Sequence, residues 1–217
     1  MGIWQDYALV MPELAKNWHI YAVDVYGHGK STHNEELYYI DTNGDDLIWF
    51  IDNVIREKTV VAGHSNGGIT TAYIAAYGGE NVRAALLEDP PIFSTQGEGW
   101  ENSFAYLDPY SVWFVFKYAK DYDFAYGEHF YDLSWNHGYT HEQILSDINV
   151  PCVYMHAKEN ISETGVYLCA ASLEQAKRAV GYIGDECKLI ETSTSDHTIH
   201  AVHSKEYIDA INSLLNK

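Results

Sequence analysis

The sequence predicts an α/β fold, a mostly parallel sheet covered by helices on both faces. Two observations carry that expectation. Short apolar runs of strand length alternate with longer stretches whose apolar residues recur at helical spacing, the pattern of strands buried between helical layers. In addition, Val60-Val61-Ala62-Gly63-His64-Ser65-Asn66-Gly67-Gly68 carries an apolar run through a Gly-x-Ser-x-Gly turn into a helix-like stretch. That arrangement holds a serine on a tight strand-to-helix corner at the carboxyl end of a sheet.

The elements follow in order. Residues 7–16 read as an amphipathic helix and 19–24 as a buried strand. Gly27 to Ser31 form a turn, and 42–57 a helix with Leu47, Ile48, Ile51, Val54 and Ile55 on one face. The strand before Ser65 and a helix over 69–77 come next, then a strand over 82–88 and another over 151–156. A helix over 172–180, a strand over 187–191 and a closing helix over 204–215 complete the pattern. Glycine at 63 and 67 is expected on steric grounds, because a side chain there would obstruct the corner.

The interval 93–141 breaks the rhythm with a run of aromatic residues that includes Trp100, Phe104, Tyr106, Tyr110, Trp113, Phe114, Phe116 and Tyr118. A helical insertion of this kind can form a lid over a site. The expected organisation is therefore a core of residues 1–92 and 142–217 with a cap of 93–141, most of whose rings pack against the body.

The chain has 217 residues, 47% of them hydrophobic, enough for one domain with a substantial core. Its formal charge of −18 makes nucleic acid and anionic membranes poor partners. No apolar run reaches the ~20 residues of a membrane span, and no signal-like stretch opens the chain. Cys152, Cys169 and Cys187 show no paired spacing and suggest reduced thiols in a cytoplasmic protein. Nothing indicates a nucleotide, a flavin or another cofactor.

A serine nucleophile needs a base, and the base needs an orienting acid. Ser195-Asp196-His197-Thr198-Ile199-His200-Ala201-Val202-His203 supplies the histidines. His197 follows the last strand and its loop, the position expected of the base. His200 and His203 lack the carboxylate or cysteine spacing of a metal site. His28, His64 and His156 lie near strand ends, as supporting hydrogen-bonding residues would.

The chain resembles the α/β-hydrolases of the lid-bearing esterase and lactonase type. The resemblance rests on Trp4-Gln5-Asp6, the run Val23 to Ser31, Gly63-His64-Ser65-Asn66-Gly67-Gly68, Leu86-Leu87-Glu88-Asp89-Pro90-Pro91, Val150-Pro151 and Asp196-His197-Thr198-Ile199-His200, all in the family's order. It implies Ser65 as nucleophile, His197 as general base and acid, and the Asn66 backbone N–H as one oxyanion donor.

Two departures from the family stand out. The usual acid position holds Asn160, which moves the expectation to Glu88, with Glu159 as alternative and Asp89 shaping the turn before Pro90. The resemblance also implies earlier strands and a His-Gly-type loop supplying a second oxyanion N–H, and these have no counterpart before Trp4. The missing strand belongs between 20–24 and 59–62, and its loss leaves backbone groups unpaired. The expected function is a serine hydrolase acting on a small, fairly apolar ester, lactone or related acyl compound. The alternatives are a truncated, catalytically impaired hydrolase-like protein and a non-enzymatic ligand-binding module.

Overall fold

In the computed structural model, which describes residues 2–99, 101, 120–166 and 169–216, four strands form one sheet in the order β1-β2-β3-β4. They are β1 (Thr59–His64), β2 (Val82–Glu88), β3 (Cys152–His156) and β4 (Cys187–Glu191). Every neighbouring pair is parallel, so each connection crosses over through a helical segment.

Side-chain alternation along the strands divides the core into two layers. Ala85, Leu87, Cys152 and Tyr154 face one side, where Ile69, Tyr73, Ile144 and Ala176 meet them. Those four residues belong to the helices Asn66–Tyr77, His141–Asp147 and Leu173–Ile183. Ala84, Leu86, Val153 and Met155 face the other side, against Val10, Leu14, Ile199, Tyr207 and Ile211. Complete burial of side chains such as Leu86 and Leu87 contributes roughly 1.5–3 kcal/mol each.

The helical assignments hold with shifted ends. The expected helix over 7–16 is a 3-10 helix, Trp4–Leu9, followed by the short α-helix Met11–Leu14. The one over 42–57 is an α-helix, Ile40–Phe50, that ends in a π-helical turn, Ile51–Ile55. The serine-bearing turn passes into its helix at Asn66, three residues before the expected start. No helix among the described residues is long and apolar enough to cross a membrane.

The strand expected over 19–24 is absent. The segment is not part of the sheet, and Tyr21 and Val23 are 44% and 47% exposed. A strand needs a partner for its backbone, and between this segment and β1 lies a cavity of about 340 Å³ instead. Trp18, Ile20, Val23, Phe50 and Ala62 help to line it.

Of the aromatic interval, the eight rings from Trp100 to Tyr118 lie outside the described residues. Tyr126 and Trp135 are buried in the core, and the Tyr126 ring meets Tyr38 and His28.

Candidate active site

Ser65 stands between β1 and the Asn66–Tyr77 helix with φ 57° and ψ −125°. For a non-glycine residue this backbone costs about 1–3 kcal/mol and persists only where its surroundings enforce it. They do so here: the Ser65 N–H donates to Glu88 O at 2.8 Å, and the Gly68 N–H donates to Ser65 O at 2.8 Å. Gly63 is obligatory, since a Cβ there would lie 2.2 Å from the Gly67 carbonyl oxygen. The same steric expectation fails at Gly67, where a Cβ would meet nothing within 4 Å. The corner is crowded at Gly63 and open at Gly67, while a Cβ at Gly68 would lie 3.1 Å from Pro90 Cβ.

His197 lies on the loop between β4 and the short helix Ile199–Val202. Its Nδ1 bonds at 2.7 Å to Asp89 Oδ2. The imidazole is 41% exposed while the carboxylate is fully buried, so one ring nitrogen is engaged and Nε2 remains for a reacting group. The His197 ring also packs against that of His64, centroid to centroid 4.4 Å, which brings it beside the serine turn. Among the described residues no hydrogen bond joins Ser65 to His197; such contacts commonly tighten only when substrate is bound.

The acid on His197 is therefore Asp89, and the expectation that Glu88 would reach this ring is corrected. In a strand, successive side chains point to opposite faces. Glu88 is the last residue of β2 and follows that alternation away from His197, onto His200. Asp89 sits one residue beyond, with φ +42°, and this positive φ turns its carboxylate toward His197. Glu159 is not on the imidazole either: its Oε2 accepts the Leu173 N–H at 2.8 Å, at the start of the Leu173–Ile183 helix. Ser65, the two carboxylates at the end of β2 and His197 follow one another in the sequence, but a one-residue choice at a strand end depends on a backbone angle.

Asp89 is held firmly. Its N–H donates to Met155 O, its Oδ1 accepts the Ala157 N–H at 2.9 Å, and His156 Nδ1 lies 3.4 Å from Oδ1. That last contact is close but is not a directed hydrogen bond, since neither His156 ring nitrogen has a hydrogen-bond partner. Burial by itself would push the Asp89 carboxyl up, but His156, His197 and the Ala157 N–H outweigh it and hold the group below the ordinary carboxylate range. Burial, reinforced by His197, pushes His64 well below the ordinary histidine value. Its Nε2–H then donates to the His197 carbonyl oxygen at 3.0 Å.

Asn66 opens the helix, and its backbone N–H makes no hydrogen bond to the described residues, as the first N–H groups of a helix require. It points the positive helix end at the site. Two N–H groups among the chain's first residues are engaged elsewhere than at the serine corner. The Ile3 N–H is bonded to Asp6 Oδ2 at 2.9 Å and the Trp4 N–H to Asp24 Oδ1 at 2.7 Å. Among the described residues no group of three or more His, Cys, Asp or Glu side chains could hold a metal ion.

The comparisons agree with this architecture. A family model described as alpha/beta hydrolase fold matches residues 1–213. Lipase LipV of Mycobacterium tuberculosis is 36% identical over 90 residues, 42% of this chain and 33% of the lipase, so the match spans about a third of that relative's length. The crystal structure of the enol-lactonase from Burkholderia xenovorans LB400 superposes with a TM-score of 0.73 at 14% identity, over 99% of this chain and 87% of that one. An esterase from Exiguobacterium antarcticum gives 0.68 at 18% identity, over 98% and 87% of the two chains. At these identities the structural likenesses concern the fold.

Proposed function

This chain belongs to the α/β-hydrolase family, and from that premise we propose that it is a serine hydrolase. It cleaves a small, fairly apolar ester, lactone or related acyl compound through an acyl-enzyme intermediate. The observation that carries the reading is a histidine tied at Nδ1 to a buried carboxylate, on a loop beside a strained serine corner. Similarity to proteins named lipase, esterase and enol-lactonase supports an acyl substrate.

In this mechanism Ser65 Oγ attacks the substrate carbonyl carbon while His197 Nε2 takes its proton. Asp89 keeps the other proton on Nδ1 and stabilises the imidazolium. The Asn66 N–H donates to the tetrahedral oxyanion. His197 then returns its proton to the leaving oxygen, and the ester bond breaks. Water, activated by the same imidazole, releases the acyl group and restores Ser65. Of the interval 93–141, read from the sequence as a cap on the core of 1–92 and 142–217, residues 100 and 102–119 lie outside the described residues. The free thiols Cys152, Cys169 and Cys187 fit a reducing compartment such as the cytoplasm.

A second reading, a hydrolase-like protein of low turnover, is favoured by the engagement of the Ile3 and Trp4 N–H groups elsewhere. One missing oxyanion donor typically costs about 100- to 1000-fold in turnover. Labelling by a fluorophosphonate probe with turnover of a chromogenic ester panel separates the readings. The enzyme labels and turns over, and Ser65→Ala removes both. A low-turnover protein labels slowly, and a protein that does neither is not a serine hydrolase.

A further inference from the structure

We propose that Glu88 and His200 form a positioning clamp that sets the place of His197, an inference that rests on the reading of His197 as the base. Glu88 and Asp89 are consecutive, and both are fully buried. They hold two histidines of one short turn, His197 and His200. Glu88 Oε1 accepts the His200 backbone N–H at 2.7 Å and its ring Nδ1–H at 2.8 Å, with Oε2 3.0 Å from the same Nδ1. The His200 ring stacks on Tyr7, centroids 4.1 Å apart at 17°. Its other face of contacts includes His64 at 5.3 Å and Tyr207 at 6.0 Å.

The turn is thus fixed at both ends. At its start Asp89 holds the His197 ring and His64 holds the His197 carbonyl. At its end Glu88 holds both the backbone and the ring of His200. A buried carboxylate is an expensive way to stabilise a fold, and an apolar side chain of similar size often does as well. What it does supply is direction, because hydrogen bonds to a backbone N–H and a ring N–H fix an orientation that apolar packing leaves loose. Orientation matters here because a shift of about 1 Å in a reacting group can cost roughly 100-fold in rate. Neither the Glu88 carboxylate nor the His200 ring is hydrogen-bonded to Ser65; both act through His197.

The test compares Glu88→Leu with Glu88→Gln, whose amide oxygen still accepts from the His200 N–H. Steady-state turnover of a p-nitrophenyl ester and the fluorophosphonate labelling rate are measured for each. Glu88→Leu is expected to lower kcat and labelling about 10- to 100-fold with KM within about twofold, and Glu88→Gln to restore kcat to within about threefold of the parent. A folded Glu88→Leu protein with parental kcat overturns the clamp, as does a loss carried by KM alone. Should Glu88→Leu not fold, His200→Phe takes its place. It keeps the backbone bond and the stack on Tyr7, and it should lose several-fold in kcat; parental kcat there also overturns the clamp. Ser65→Ala separates the two levels. Turnover surviving that change sinks the serine-hydrolase reading itself, whereas turnover that needs Ser65 but ignores Glu88 and His200 sinks only the clamp.

Discussion

The two sides of the sheet contrast sharply. Around β2 and β3 the structure is closed: both strands are buried almost throughout, and the carboxylates at the end of β2 have named donors. Around β1 it is open, since β1 is an edge strand beside a cavity and Ala62 at its middle is exposed. The acid–base arm of the candidate site is built on the closed side, and the oxyanion arm borders the open one. Preorganisation of a catalytic group is therefore a local property of how well its strand is covered. Each arm can be perturbed without the other.

The largest expected effect breaks the closed side. Asp89→Asn should lower kcat about 10⁴-fold by letting the His197 ring take the wrong tautomer, while Glu88→Gln stays within about threefold. Side-by-side ester turnover checks the pair, and equal losses would mean that Asp89 is not the acid. Next comes a charge placed on each side. Ala85→Lys puts an ammonium among fully buried residues and should prevent folding, whereas Ala62→Lys at the cavity should change stability by no more than about 0.5 kcal/mol. Circular dichroism melts decide it, and similar damage at both positions would show that β1 is covered after all.

A smaller effect is acid sensitivity shared by both sides. Burial lowers His28, near the open side, and His141, in the closed core, to about 4 each, and it holds His64 well below the ordinary histidine value. The His141 case is concrete, since its Nδ1 accepts the Phe93 N–H at 2.8 Å and protonation would break that bond. Because the folded values are depressed, the unfolded chain binds protons first. This stability is fully present above about pH 6.5 and is lost as pH falls toward 4, with a slope of up to about 1.4 kcal/mol per pH unit for each group. Melting temperature from pH 7 to 4.5 should fall steeply, and His141→Gln should flatten the slope by about a third. A flat profile would show that these histidines are not held neutral. Finally, Gly63→Ala should cost about 1–3 kcal/mol, and Gly67→Ala, free of contacts, should instead stabilise the protein by about 0.4–1 kcal/mol. Chemical denaturation of both variants measures the crowding of the corner.

Much of this was legible in the amino-acid order alone. The bounds of β2 and β4, the parallel α/β character, Ser65 at its corner and His197 after the last strand follow from local signals: apolar runs of strand length, glycine spacing and element order. Three features needed the tertiary structure. The 19–24 run reads as a strand because its apolar content is strand-like, but strandhood is a property of pairing, and no strand among the described residues pairs with it. The choice of Asp89 over Glu88 depends on one positive φ at a strand end, set by bonds to Met155 and Ala157 that lie far off in sequence. The second carboxylate–histidine pair, Glu88 with His200, joins residues 112 positions apart, and no spacing rule reaches that far. Local patterning determines which elements form; only the packed sheet decides which side chains meet at its end.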